Sequence, residues 1–340
     1  MLLSSTRDRN SKREASNITW FLFLTFITNS LAFHGNNVIL YWIFNIIFIS
    51  LFGIIINFYC LYKFLSKPGK FSGFKKLCIV KTIPNIVICA SFLFWGGPLT
   101  LFQVPLKDVP RTLNMVMGQI AGSGAYVFSP IIQSFMAANR FFLLYIPFWK
   151  FKFDKYPITH FAIFVGFTIA ITCSILRFEA TCGYIFDPKQ LVWRSEYFNC
   201  SEGQSAIIFG CIVVSTMISN ALNLSSAAKL IFGKVTGITK SDERKRRKKW
   251  VRMFLQNVFQ DCLHVIDLIN CRYIYALRDE TWFQFIFLSV SFVLIYSLDG
   301  FVMFYFHRDV QPNIIQRFLA NGKLRRKSNA IEAFRSGSYI

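Results

Sequence analysis

The stretch Phe135-Met-Ala-Ala-Asn139-Arg140-Phe-Phe-Leu-Leu-Tyr145-Ile-Pro147-Phe-Trp149-Lys150 closes a long apolar run with an Asn-Arg pair. The run reaches back to about Leu113. Beyond it come an aromatic patch, a proline and the lysines Lys150, Lys152 and Lys155. An apolar segment of about 20 residues or more is long enough to cross a bilayer as a helix. An arginine at the end of such a span is costly unless it reaches the interface or faces a polar interior. Arg140 is therefore either a snorkelling anchor or a side chain turned into a polar cleft between spans.

Composition supports the membrane setting. The chain has 340 residues, 54% of them hydrophobic and 18% aromatic, including 40 Phe. It also carries 38 Lys+Arg against 17 Asp+Glu, a net charge of +21. A soluble basic protein would spread these charges along amphipathic elements. Here they fall between apolar runs of span length, so the charge argues for loop orientation and against a nucleic-acid partner.

A basic head with Arg7, Arg9, Lys12 and Arg13 precedes a short apolar run, Ile18 to Phe33. It reads as a signal-peptide core with cleavage near Ala32, or as an extra interfacial helix. Seven spans are then expected at about Val38–Tyr62, Leu77–Leu101, Leu113–Ala138, Pro157–Leu176, Gln204–Phe232, Trp250–Ile274 and Trp282–Phe306. The expected fold is an all-α, seven-transmembrane helix bundle. Its domains are a leader at 1–35, the bundle at 36–306 and a basic tail at 307–340. No room remains for a soluble catalytic domain.

Loop charge gives the orientation. Lys63, Lys67, Lys70, Lys75 and Lys76 lie between the first two spans. Lys150, Lys152 and Lys155 follow the third, and the run Arg244-Lys-Arg-Arg247-Lys248-Lys249 precedes the sixth. The opposite loops are nearly balanced. The positive-inside rule places the lysine-rich set, Arg140 and the tail in the cytosol.

The long outer loop contains Cys182, Trp193 and Cys200, and Asn199-Cys-Ser201 is a glycosylation triplet. No cysteine lies between Cys89 and Cys173, so the outer end of the third span offers no partner. Cys182 and Cys200 can close their own loop in an oxidising compartment. Two free thiols, or a bridge to Cys173 or Cys271, are the alternatives. The cysteines have no metal-site spacing, and no cofactor motif is present.

In the sixth span Asn257, Gln260, Asp261, His264 and Asp267 recur at helical spacing and share an arc of about 120°. Such groups at membrane depth face a bundle interior or a wet cavity. They are candidates to line a ligand pocket; interhelical hydrogen bonding is the plainer role. His264 and Asp267 could also form a proton-sensitive pair. Asn57, Asn85 and Asp299 form a second polar layer, each roughly 8–12 Å from the cytosolic end of its span. They could satisfy one another or hold water or a cation. Lys81, one turn nearer the cytosol, is expected to snorkel, and Pro84 to kink its helix.

Several segments together resemble the nematode serpentine receptors of class x, a family of chemosensory-type G-protein-coupled receptors. They are Gly53-Ile-Ile-Ile-Asn57, Phe71-Ser-Gly-Phe-Lys-Lys-Leu-Cys78, Phe94-Trp-Gly-Gly-Pro98, Ala138-Asn-Arg-Phe141 with Pro147, and the Cys182–Trp193–Cys200 loop. Arg247-Lys-Lys-Trp-Val-Arg-Met-Phe-Leu-Gln256 with Gln260-Asp261, and Leu298-Asp-Gly300, complete the set. The chain departs from the pattern at Phe148-Trp149 and Phe306-His307. It also lacks the Asp-Arg-Tyr, Cys-Trp-x-Pro and Asn-Pro-x-x-Tyr signatures of rhodopsin-like receptors. The resemblance implies a plasma or sensory membrane location and three partners: membrane lipid, an external small molecule and a heterotrimeric G protein. It also implies that Asn139, Arg140, Pro147, Arg247, Lys248 and Lys249 face the G protein. A multi-pass transporter or channel is the other function class that a polar interior could serve. An enzyme is not expected, since His264-x-x-Asp267 falls short of any metal motif.

If Cys182 and Cys200 are bridged, replacing either by serine removes the same constraint, roughly 3 kcal/mol for a loop of this length. Surface expression should then fall by similar amounts in the two variants. Mass mapping that finds both thiols free would remove the bridge.

Overall fold

The computed structural model describes residues 37–66, 72–145, 158–175, 183–196, 198–232, 240–307 and 310–312. Seven long helices make up nearly all of it. They are α1 (Asn37–Ser66), α2 (Gly73–Leu101), α3 (Arg111–Tyr145), α4 (Ile158–Ile175), α5 (Phe198–Phe232), α6 (Lys240–Ile269, continued by a π turn at Asn270–Ile274) and α7 (Thr281–Phe306). The expected leader and the tail from 313 lie outside the described residues, as do Pro147 and Cys182. Of Asn199, Cys200, Arg247, Lys248 and Lys249 only the helical backbone is described.

Six of the helices are long and apolar enough to cross a membrane; α6 is not among them. The reason lies in its two faces. Gln256, Asn257, Gln260, Asp261, His264 and Asp267 are buried, while Phe259, Cys262, Val265 and Ile266 are exposed. A helix with a polar buried face and an apolar outer one is the inverse of a soluble amphipathic helix. It fits a bundle whose surroundings are lipid.

The third span runs further than the sequence suggests. It continues through Asn139-Arg140 to Tyr145 because Phe141, Phe142, Leu143 and Leu144 sustain the apolar pattern. The next helix breaker is Pro147. Tyr145 Oη donates to the Ser225 carbonyl at 2.8 Å and ties the end of α3 to α5. α3 occupies the middle of the bundle, packing against α2, α4, α5 and α6, and α7 packs against α1, α2 and α6. Ser72 caps α2 by accepting from Lys75 N. Pro84 and Pro130 are both accommodated inside their helices.

Two features were not visible in the sequence. The outer halves of α2, α3, α6 and α7 each contain a π segment: Phe92–Gly96, Gln119–Ala125, Asn270–Ile274 and Phe285–Val290. The outer loop also folds as an antiparallel hairpin, β1 (Tyr184–Asp187) and β2 (Val192–Ser195), with Phe186 paired to Trp193. Asp187 shapes the turn: its Oδ1 accepts from Lys189 N, and its backbone carbonyl accepts from Leu191 N.

Two α3 side chains, Asn114 and Arg111, hold the hairpin. Asn114 Nδ2 donates to the Phe186 carbonyl at 2.9 Å, and Asn114 Oδ1 accepts from Phe186 N at 3.0 Å and from Trp95 Nε1 at 2.9 Å. Arg111 makes two hydrogen bonds of 2.7 Å to the Glu196 carboxylate at the hairpin's edge. The contact is close enough to require a glycine, for a Cβ on Gly118 would stand 2.0 Å from the Tyr184 carbonyl oxygen.

Gly118→Ala should therefore push the hairpin off α3, and Asn114→Ala should leave two buried backbone groups without their partner, costing about 1–3 kcal/mol. Both variants should reach the cell surface less well and unfold at lower temperature in detergent. Wild-type behaviour of Gly118→Ala would mean that the hairpin is not seated there.

Candidate functional site

The polar interior begins with an ion pair. Lys81 and Asp299 are both 0% exposed, and Lys81 Nζ lies 3.2 Å from Asp299 Oδ1. Lys81 also donates to Gln133 Oε1 of α3. The expectation that Lys81 snorkels is wrong. It lies on the stripe Leu77, Lys81, Asn85, Ile88 and Phe92, all buried, so its helix face turns it inward. The carboxylate it meets there offsets the cost of leaving water.

Asn57, Asn85 and Asp299 do supply one another. Asn85 Nδ2 donates to Asp299 Oδ2 at 2.7 Å and to Asn57 Oδ1 at 3.0 Å, while Asn57 Nδ2 donates to the Gly53 carbonyl at 2.8 Å. Gly300 makes this possible, since a Cβ there would lie 2.4–2.6 Å from the Asn57 amide. The cation in the layer is the chain's own Lys81.

From Lys81 the network crosses the bundle. Gln133 Nε2 donates to the Asn257 carbonyl at 3.2 Å, and Asn257 Nδ2 to Asn223 Oδ1 at 3.5 Å. Asn223 Nδ2 donates to Asp261 Oδ2 at 2.6 Å, and Ser219 Oγ lies 2.9 Å from both Asp261 oxygens. Asp261 is thus a clamp between α6 and α5. Helices α1, α2, α3, α5, α6 and α7 all contribute.

The other α6 candidates separate. Gln260 Oε1 accepts from Gln256 Nε2 at 3.3 Å. His264 Nε2 lies 3.4 Å from Ser129 Oγ, with its ring 5.9 Å from that of Tyr296. No hydrogen bond or ion pair joins His264 to Asp267, so the pair their spacing allowed is not formed, and His264 is instead held by Ser129. One turn along the helix directs their ring and carboxylate to different neighbours. Asp267 is buried, and Tyr126 and Cys271 face it. Among the described residues, no group of three or more His, Cys, Asp or Glu could hold a metal ion.

Near the C-terminal end of α3, Arg140 is 3% exposed, with its guanidinium 4.4 Å from the centre of the Phe74 ring. Its three guanidinium nitrogens make no hydrogen bond among the described residues. The His307 ring stacks on Phe74, 5.9 Å between centroids. Of the two roles open to Arg140, the geometry gives the inward one. Neighbouring Asn139 is only partly buried.

Gln133, Ser219, Asn223, Tyr126 and Tyr296 belong to this interior and were not singled out in the sequence. Gln133 had a usable signal: it stands seven residues before Arg140, two helical turns away on the same face. Ser219 and Asn223, one turn apart on α5, had another.

The sequence model of the serpentine type 7TM GPCR chemoreceptor Srx family matches residues 47–307. No curated protein matches the chain. The chain belongs to the Srx family; it is a multi-pass membrane protein with a seven-helix bundle, of a receptor class and not an enzyme class.

Removing one member of a buried ion pair leaves the other uncompensated. Lys81→Met should destabilise the bundle by about 3–5 kcal/mol, and adding Asp299→Asn should restore much of the loss. Thermal unfolding of the purified chain and its variants measures both. A Lys81→Met chain as stable as the wild type would deny the pair its structural role.

Proposed function

We propose that this chain is a chemosensory-type receptor that binds a small external ligand among the outer halves of its helices and signals through a heterotrimeric G protein. Family membership supports a receptor. The observation that carries the signalling step is Arg140, a buried guanidinium with no hydrogen-bond acceptor among the described residues, covered by Phe74. A buried donor set without acceptors is costly. Arginine's planar fork suits an acceptor offered from the cytosol once the helices part. A ligand that binds the parted arrangement more tightly than the closed one supplies the drive.

In this reading Asn139, Arg140, Pro147, Arg247, Lys248 and Lys249 form the G-protein-facing surface. Gln260, Asp261, His264 and Asp267 belong to the wall between pocket and polar core. Residues 36–306 form the receptor domain, 1–35 a leader and 307–340 a cytosolic tail, in a plasma or sensory membrane. The run Arg244–Lys249 holds α6 at the inner leaflet, with about 1 kcal/mol of attraction to anionic lipid per cation. The apolar outer faces, such as Phe161, Phe164 and Phe167 of α4, meet lipid.

Arg140→Ala should reach the surface at normal levels and bind ligand, because it deletes a buried unpaired charge, yet lose most of its second-messenger response. Neutralising Arg244–Lys249 should lower surface placement as well as signalling. Surface level, bound ligand and second messenger have to be read in parallel. Normal signalling by Arg140→Ala at matched surface level would reduce Arg140 to a helix-end anchor and defeat the receptor mechanism.

A further inference from the structure

A carboxylate at membrane depth needs a cation, a set of donors or a proton. The interior of this bundle holds Asp261, Asp267 and Asp299, and they are provided for unequally. Asp299 has the Lys81 ammonium and the Asn85 amide. Asp261 has Ser219 and Asn223. Asp267 is 1% exposed, and among the described residues its Oδ2 accepts no hydrogen bond. Its Oδ1 meets the Cys271 thiol, a weak donor, at 3.7 Å. Among the described residues the two buried cations, Lys81 and Arg140, are committed elsewhere, Lys81 to Asp299 and Arg140 beneath Phe74.

The surroundings of Asp267 are aromatic. Tyr126 of α3 faces it, and the Tyr126 ring packs 5.1 Å from Phe292 and 6.5 Å from Tyr296, both of α7. Phe292 and Tyr296 are 5.2 Å apart. Three of the π segments end or begin beside this cluster. Gln119–Ala125 stops immediately before Tyr126, Phe285–Val290 stops two residues before Phe292, and Asn270–Ile274 starts three residues after Asp267. Such turns redirect the side chains next to them and gather at functional sites. The aromatic contacts continue to the hairpin, with Phe92 lying 5.8 Å from Phe292 and 6.1 Å from Trp193.

We propose that Asp267, with the rings of Tyr126, Phe292 and Tyr296, is the subsite for the cationic nitrogen of a small amine ligand. A carboxylate with no cation beside it among the described residues, and with one oxygen unmatched, supplies the countercharge. Electron-rich ring faces supply the rest of the shell that an ammonium needs on leaving water. The proposal rests on the ligand-binding reading above and narrows it to one chemical class. In the closed arrangement the rings pack on one another. A cavity lined by Phe92, Phe186 and Phe285 beneath the hairpin offers only about 10 Å³, room for one water. Binding therefore exchanges ring–ring contacts for ring–cation contacts and lifts the hairpin, whose Trp193 is joined to the cluster through Phe92.

The test uses the purified full chain in lipid nanodiscs and reads ligand-dependent thermal stabilisation, which does not depend on signalling. Two pairs of probes are compared: phenethylamine with uncharged phenethyl alcohol, and choline with its uncharged isostere dimethylbutanol. At least one amine should stabilise the wild type, with its neutral counterpart roughly tenfold to hundredfold weaker. Asp267→Asn should weaken the amine by a similar factor, and Asp267→Glu should recover part of it. If Asp267→Asn does not fold, the paired probes on the wild type still decide. The proposal is overturned if neither amine stabilises the wild type, if the neutral counterparts act equally well, or if Asp267→Asn binds amine like the wild type. The last result would mean that Asp267 carries a proton in place of a ligand. A second-messenger assay run alongside separates the two readings. Amine binding lost in Asp267→Asn, without any cellular response, keeps the subsite and removes the signalling function. A response to neutral ligands that survives Asp267→Asn keeps the receptor and removes the subsite.

Discussion

Lys81 and Asp299 meet where neither has water, and their neighbours are arranged around that fact. An ion pair in an apolar bundle persists only if its remaining valences are met. Asn85 takes up Asp299 Oδ2 and Gln133 one donor of Lys81, and each is in turn bonded to another helix. The consequence is positional. Rotating α2 or α7 by even a part of a turn would strand a charge, so the pair fixes the rotation of both helices. The glycine at 300 follows from the same demand, because the Asn57 amide has to lie flat against α7 to reach Asn85. What van der Waals contact alone would leave free to slide in lipid, this layer holds in register.

The outer half is built on a different principle. There the helices are interrupted by π turns, and the hairpin rather than a polar layer closes the bundle. Asn114 and Gly118 bring β1 backbone against α3 backbone. Phe186 and Trp193 then fill the space among Trp42, Phe92 and Phe285. Contacts between aromatic rings are individually weak and tolerant of angle, whereas a buried ion pair is neither. A bundle that is stiff around Lys81 and Asp299 and repackable beneath the hairpin fits the proposed receptor, in which a stimulus at one end is read at the other. The aromatic series from Trp193 through Phe92 and Phe292 to Tyr296 and His264 is the physical link between the two zones.

Helix α6 joins both zones, and its three successive polar levels, two carboxylates and an imidazole between them, grade from fixed to open. Asp261 is locked to α5 through Ser219 and Asn223. His264 rests on Ser129 and Tyr296, and Asp267 faces Tyr126 with one oxygen unmatched. A helix bound firmly at one level and loosely at another is free to pivot about the fixed level. In the proposed receptor, the level of Asp261 is the fixed point between the hairpin end and the end where Arg140 lies under Phe74.

The sequence by itself determined the bundle, because a bilayer demands long apolar helices: six of the seven are written in the hydropathy of the chain, and the sixth helix in the spacing of its polar stripe. Helical spacing likewise determined that the polar stripe of α6 turns inward. Equal depth from the cytosolic end brought Asn57, Asn85 and Asp299 to one layer. Each of these follows from a one-dimensional rule. What only the tertiary structure decided were relations between helices. A lysine near a helix end reads as an interfacial anchor until the partner across the bundle is known, which is why Lys81 was misplaced. The reach of α3 past Arg140 was obscured because a charge looks like a boundary when its ring cover, Phe74, lies far off in the chain. The hairpin's seat on Asn114 pairs positions separated by a whole span, and no local periodicity encodes that. Even the unmatched oxygen of Asp267 is a fact about neighbours that are missing, and a chain read alone has no neighbours to count.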